Sequence, residues 1–315
     1  MAKQLGYACI NLHLSKEGIR TNRKMIKKTF TEHGIKYASE LALQNVRDLA
    51  EIIKWNHIEG IKVFRFSSSI FPWMTEYELK DLPDYNKIKA ILTGCGNLAR
   101  KYGQRLTCHP GPFNQLASVN KYVVKKTINE LNQHGEIMDL IGADLTPYNK
   151  INIHVGCQTL GKEQAAKRFC EGFRKLNEST QKRLVVENDD KPSLFTTKDL
   201  YEMVHKDIGI PITFDYHHHW CNPGDTDPLT EEESLKLAAS TWPKGIRQCT
   251  HYSSAKRVYE DKTCKIVKHA DYIYDHINDY GLDIDVVVEA KAKELAIIKY
   301  AVDYPSDYLV SSKNI

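Results

Sequence analysis

Residues 184–189 read Leu-Val-Val-Glu-Asn-Asp: a run of aliphatic, mostly β-branched side chains that stops on a carboxylate and gives way to polar loop residues. The same arrangement, a short β-like run ending on a histidine or a carboxylate, occurs six times in this chain. Upstream are Leu106–His109 in RLTCHPG and Ile151–His154 in INIHVG; downstream are Ile212–Asp215 in ITFDYHHH, Gln248–His251 in QCTHYSS and Val286–Glu289 in VVVEAK. Two further strand candidates, Leu5–Cys9 and Val63–Phe66, precede them. Helical periodicity fills the intervals at Ser39–Trp55, Asn86–Lys101, Tyr122–Leu140, Glu163–Leu176, Thr197–Val204, Glu231–Ala239, Lys265–His276 and Lys291–Val302. Eight strands alternating with eight helices predict an α/β fold, a TIM-type (β/α)8 barrel. The strand ends of such a barrel open on one rim, so residues distant in sequence converge there.

With 315 residues and 42% hydrophobic content, the chain can bury a large core, and we expect a single domain over 1–315 with an irregular tail from about 304. Lys+Arg at 44 against Asp+Glu at 40 leaves a net charge of only +4, so a nucleic-acid partner would have to meet a local basic surface. One such stretch follows the first strand: Arg20, Arg23, Lys24, Lys27 and Lys28 read either as a solvated face or as part of the active rim. The eight cysteines include no CxxC pair and read as reduced thiols. MAKQLGYACINL lacks the pattern of a signal peptide, and no apolar run is long enough to span a membrane. The expectation is a soluble intracellular monomer, in cytoplasm or nucleus, with no membrane partner.

Alternation along a strand places side chains two apart on one face, so Thr213 shares a face with Asp215 and Val287 with Glu289. The carboxylates then end inward-facing columns, where they repel one another unless cations intervene. A single histidine at a strand end is ordinarily a core residue; six ligand-type residues at equivalent positions point to metal. Nitrogen and oxygen donors without thiolates favour Mn²⁺, Zn²⁺ or Fe²⁺. Asp215-Tyr216-His217-His218-His219 can chelate or bridge two ions, and a carboxylate such as Glu187 can join them. The chemistry that follows is attack of metal-activated water on a phosphodiester; a metal-dependent sugar isomerase is the competing use of such ligands.

The chain resembles the UV damage endonucleases, metal-dependent DNA repair nucleases related to endonuclease IV, over nearly its whole length. The resemblance is carried by LGYACINL, TNR at Thr21–Arg23, FRFSSSIFP at Phe64–Pro72, GQRLTCHPG at Gly103–Gly111, VVENDD at Val185–Asp190, DYHHHWCNP at Asp215–Pro223 and VVVEAKAKE at Val286–Glu294. It implies one metal held by His109, His154 and Glu187, a second by Glu187, Asp215, His251 and Glu289, and a third by His218 and His269. The implied cofactor is two to three divalent ions, Mn²⁺ first, with Zn²⁺, Mg²⁺ or Co²⁺ as alternatives. Glu187, Asp215, His251 and Glu289 would be the catalytic set. The implied reaction is ATP-independent hydrolysis of damaged double-stranded DNA, 5′ to cyclobutane dimers, 6-4 photoproducts or other distortions, leaving 3′-hydroxyl and 5′-phosphate ends.

Tyr7 and Asn11 match family residues lining the damaged-base pocket, and Phe113, with Gln115 beside it, matches an aromatic that wedges into the duplex. By their own residue types, Tyr7 and Phe113 would be core aromatics and Asn11 a turn residue. Arg23, Lys291 and Lys293 are candidate DNA contacts; Arg65 reads as either a barrel ion-pair partner or a phosphate contact. Three positions depart from the family. Cys249 stands for a lysine two residues before the strand-seven histidine, Glu76 for a histidine after strand two, and Pro112 for a glutamine next to the wedge. An abasic-site endonuclease of the endonuclease IV type and a non-catalytic damage-binding protein complete the alternatives.

Overall fold

A computed structural model of the chain describes residues 3–225 and 227–306; the end of the expected irregular tail, 307–315, lies outside them. The elements in order are β1 (Gln4–Ala8), α1 (Leu12–Ser15), α2 (Lys27–Ile58), β2 (Val63–Phe66), α3 (Tyr85–Tyr102), β3 (Arg105–Cys108), α4 (Lys121–Ile141) and β4 (Ile151–Ile153). There follow α5 (Lys162–Phe173), α6 (Glu178–Gln181), β5 (Leu184–Glu187), α7 (Thr197–Leu200), α8 (Lys206–Ile208), β6 (Ile212–Thr213), α9 (Tyr216–Cys221) and α10 (Glu231–Ser240). The chain closes with β7 (Gln248–Tyr252), α11 (Lys256–Tyr259), β8 (Ile284–Val288) and α12 (Glu294–Asp303).

All pairings between neighbouring strands are parallel, in the order β6-β5-β4-β3-β2-β1-β8-β7. Short apolar strands of this kind need cover on both faces, and the helices supply the outer layer. The ring between β6 and β7 is closed by a single parallel bridge, Asp215 to His251, with the His251 N–H donating to the Phe214 carbonyl at 2.9 Å. This is the (β/α)8 architecture the strand repeat predicts.

Strand alternation sorts the residues. Leu5, Tyr7, Phe64, Phe66, Leu106, Ile151, Ile153, Val186 and Val288 face the helices in one continuous apolar cluster, whereas Ala8, Val63, Val185, Trp242, Cys249 and Val287 form a small inner cluster. The interior is tight at β1, where a Cβ on Gly6 would meet the Val63 carbonyl oxygen at 1.9 Å. Low in the barrel a buried pair, Arg105 Nη1 to Asp285 Oδ2 at 2.9 Å, joins β3 to β8.

Two helix expectations change. The helix over Ser39–Trp55 is longer, Lys27–Ile58, with a break at Gly34, where φ is +64°. The predicted helix Lys265–His276 is absent: after β7 only the short α11 forms, and the segment carrying His269 is irregular, tied to Ala255 by an antiparallel bridge.

Candidate active site

The inward column on β5 ends on Glu187, which is 0% exposed, and its two oxygens face different partners. Oε2 lies 3.2 Å from His109 Nε2 and 3.5 Å from His154 Nε2; Oε1 lies 3.0 Å from His251 Nδ1 and 3.4 Å from His218 Nδ1. Two groups of donors could each hold an ion, His109 with His154 and Glu187, and Glu187 with Asp215 and His251; within each group the donor atoms lie within 4.8 Å of one another. Glu187 belongs to both. Glu289 flanks the second group, its Oε1 3.4 Å from His251 Nδ1 and its Oε2 3.6 Å from His269 Nδ1.

Asp215 reaches this centre because it is the N-cap of α9: Oδ1 accepts the His218 backbone N–H at 2.7 Å, which fixes the carboxylate at the strand-to-helix turn. Its other oxygen, Oδ2, is buried without a hydrogen-bond partner among the described residues. A buried orphan carboxylate oxygen is costly unless a cation meets it, so the donor set fits a metal. The electrostatics agree. Burial, together with the Glu187 and Glu289 charges, pushes Asp215 up to about 7 despite His218 beside it. Burial opposes charge on His154, yet the Glu187 and Asp189 carboxylates raise it to about 10; His218 is likewise raised to about 8 by Asp215 and Glu187. Burial holds His251 neutral, down to about 3, whereas the surrounding imidazoles keep Glu187 ionised against its own burial. The pocket attracts positive charge from whatever source.

The remaining predicted residues divide. His218 and His269 face the centre but stand 6.3 Å apart, ring to ring, and neither belongs to a complete donor group among the described residues. Phe113 is 87% exposed on the loop after β3, at the edge of a cleft lined by His109, Pro110, Gln115, His154, His218 and Glu289. Lys291 is exposed, and Lys293 is half-buried with a left-handed φ of 53° at the start of α12. Arg65 pairs with Glu289, the barrel ion-pair reading of that residue. Arg23 is held down, 2.7 Å from Asp48 and donating to the Arg20 and Gly18 carbonyls, so the exposed charges of the basic stretch are Arg20, Lys24, Lys27 and Lys28.

One expectation is corrected. Tyr7 and Asn11 do not open on the cleft: Gly6 and Ala8 take the inward positions of β1, so Tyr7 points to α2, its hydroxyl donating to Asn56 at 2.8 Å and accepting from Asn11 at 2.8 Å. Glu76 pairs with Lys126 at 3.3 Å on the surface and belongs to no donor group among the described residues. Cys249 is a packed thiol of the inner cluster.

Sequence reasoning missed the residues that hold the candidate ligands. Asn152 Nδ2 donates to Glu187 Oε2, Asp189 Oδ1 meets His154 Nδ1 at 3.2 Å, and Asn188 takes the Asp215 N–H at 2.8 Å. Lys150, fully buried before β4, places its amine 3.0 Å from His251 Nε2 and donates to the Cys249 carbonyl at 2.8 Å. Alternation could have found two of these, because Lys150, Asn152 and His154 share one face.

Comparison with known proteins accords with this geometry. The Schizosaccharomyces pombe UV-damage endonuclease is 33% identical over 307 residues, covering 94% of this chain, which spans about half (50%) of that protein's length. A putative UV-damage endonuclease of Acanthamoeba polyphaga mimivirus is 32% identical, with 96% of this chain and 91% of the other covered. The crystal structure of SacUVDE superposes with a TM-score of 0.82 at 28% identity, covering 96% of this chain and 98% of that one. The profile of one family spans residues 3–310, and the chain accordingly belongs to the UV-endonuclease UvdE family.

Proposed function

We propose that this protein is a metal-dependent DNA repair endonuclease. It hydrolyses the phosphodiester immediately 5′ to UV photoproducts in duplex DNA, without ATP, and leaves 3′-hydroxyl and 5′-phosphate ends. The observation that carries the reading is the position of Glu187, whose two oxygens face two separate donor groups at one barrel mouth. Divalent ions there, Mn²⁺ first, supply charge stabilisation at the phosphoryl oxygens and a more acidic water. His109 and His154 would hold one ion with Glu187; Asp215, His251 and Glu289 would hold another with it, and His218 and His269 would serve a third.

The chain's own residues set the substrate. Phe113 projects into solvent beside the cleft, and an aromatic wedge repays unstacking where damage has already weakened the duplex. Gln115 lines the same cleft, and Lys291, Lys24, Lys27 and Lys28 offer exposed cations to the phosphate backbone. Eight free thiols suit a reducing intracellular compartment, and no helix among the described residues is long and apolar enough to cross a membrane. The deciding experiment incubates the protein and Mn²⁺ with a duplex carrying one cyclobutane dimer, beside undamaged and abasic duplexes. Incision 5′ to the dimer is expected. Dimer cleavage no greater than in the undamaged control overturns the reading, and cleavage of the abasic duplex alone makes the protein an abasic-site nuclease.

A further inference from the structure

Lys150 is 0% exposed, yet none of its hydrogen-bond partners is a carboxylate. The other basic side chains that face the barrel interior are paired with acids, buried Arg105 with Asp285 and part-buried Arg65 with Glu289. The Lys150 amine instead lies 3.0 Å from Thr213 Oγ1, 2.8 Å from the Cys249 carbonyl oxygen and 3.0 Å from His251 Nε2. An amine buried without a counter-ion is expensive, so the arrangement calls for a reason.

The partners supply it. Lys150 precedes β4, which is flanked by β3 and β5, but its three contacts are on β6 and β7. The side chain therefore crosses the barrel to the one seam that the sheet leaves almost unpaired, where Asp215 and His251 form the only bridge among the described residues. At that seam it grips His251 by the nitrogen that faces away from the carboxylates, while Nδ1 points at Glu187 and Glu289. An imidazole at a strand end can turn over about its second torsion, which would put a carbon where Nδ1 stands. The contact at Nε2 opposes that turn whichever of the two nitrogens carries the shared hydrogen.

We infer that Lys150 is a positioning residue for the second donor group: it fixes the His251 ring with Nδ1 toward Glu187 and fastens β6 to β7 from inside. This rests on the reading of His251 as a metal ligand. Outer partners of metal-bound histidines have this effect in general, and their loss weakens metal affinity by about 10–100-fold.

The test is Mn²⁺ binding by calorimetry on the full chain, with His109→Ala and His251→Ala assigning the two sites. Wild type should bind at least two ions. Lys150→Met should leave the His109-dependent site intact and weaken the His251-dependent site by about 10–100-fold, with cooperative thermal unfolding retained. Cys249 faces the same interior, so Lys150→Met combined with Cys249→Lys should return an amine to that space and restore the affinity. Unchanged affinity at both sites in Lys150→Met, or an equal loss at both, overturns the inference. If Lys150→Met does not fold, the double variant decides: tight binding at the second site upholds the inference. A double variant that folds without that binding, or does not fold, makes Lys150 a structural strut and overturns it. Fewer than two ions in wild type removes the ligand reading itself, and this inference with it.

Discussion

Glu187 shows how one side chain can be both indispensable and inexpensive to replace structurally. It is fully buried, so a charged carboxylate there is tolerable only with the imidazoles and Asn152 around it, and an amide of the same shape would keep the packing. Glu187→Gln exchanges one oxygen for an NH₂ group, which cannot coordinate a cation, and so breaks one of the two donor groups. Incision should fall by more than about 100-fold, beyond the cost of losing an outer-shell partner, with the circular dichroism spectrum unchanged. Near-normal nicking would remove Glu187 from the centre. His134 on α4 is a second buried titratable residue, with a different consequence. It is 0% exposed, neither ring nitrogen has a partner among the described residues, and burial holds it down to about 3. In the unfolded chain the ring takes a proton near its ordinary value of about 6.5. Between those values the unfolded state binds more protons, so this contribution to stability is complete above about 6.5 and is lost as the pH falls. The loss is about 1.4 kcal/mol per pH unit. Urea unfolding at pH 7.5 and 5.5 should show a drop about 1.4 kcal/mol larger in wild type than in His134→Leu; equal drops would mean that the folded protein protonates this ring freely.

Among the elements, the loop from Pro110 to Asn114 would, on the proposed function, separate metal binding from lesion reading. Its base is fixed, with the Asn114 side chain donating to Glu130 at 2.8 Å and the Gln115 N–H to Thr127 Oγ1 at 3.0 Å, while its tip exposes Phe113. Phe113→Ala should reduce the preference for dimer-containing over undamaged duplex by about 10-fold, the worth of one base-to-aromatic stack. Its Mn²⁺ stoichiometry should be unchanged; equal loss of metal would contradict a wedge. The strands and the donor-type residues that end them were legible because period-2 alternation and the change from aliphatic to polar residues are local signals. The segment Lys265–His276 was misread for the converse reason. Its apolar spacing suits a helix, but its backbone donors are taken from outside: Glu260 accepts the N–H groups of Asp271 at 2.6 Å and Tyr272 at 3.4 Å, and Ser254 Oγ accepts that of Tyr274 at 3.0 Å. With those donors met by side chains, the segment gains little by coiling, and it carries His269 to the rim instead. Tyr7 was misplaced because the family resemblance outweighed strand parity, which sets it outward. Lys150 was missed because a lysine before a strand reads as solvated until the barrel is closed around it.

Across the whole molecule, the candidate ligands and the barrel's closure are the same residues. Among the described residues seven of the strand pairs are laddered, but β6 meets β7 only at the bridge of Asp215 with His251, and both belong to the donor group that Glu187 completes. An ion bound there would tie β5, β6 and β7 together across the weakest seam and neutralise the carboxylates of Glu187, Asp215 and Glu289. Binding to the folded state alone stabilises it by about 2.7 kcal/mol at a free ion concentration 100 times the Kd. For a chain of this size each kcal/mol raises the Tm by roughly 1.5 °C. Mn²⁺ at that excess should therefore raise the Tm of EDTA-treated protein by roughly 4 °C. The gain in amide protection should be largest at the His251 N–H, whose bond to Phe214 closes the ring, and small in α3 and α4 on the far side of the barrel. Asp215→Asn should remove most of this Mn²⁺-dependent rise while leaving the melting of the EDTA-treated protein nearly unchanged. A Tm that does not respond to saturating Mn²⁺ would separate metal binding from closure and leave the seam to Lys150 alone.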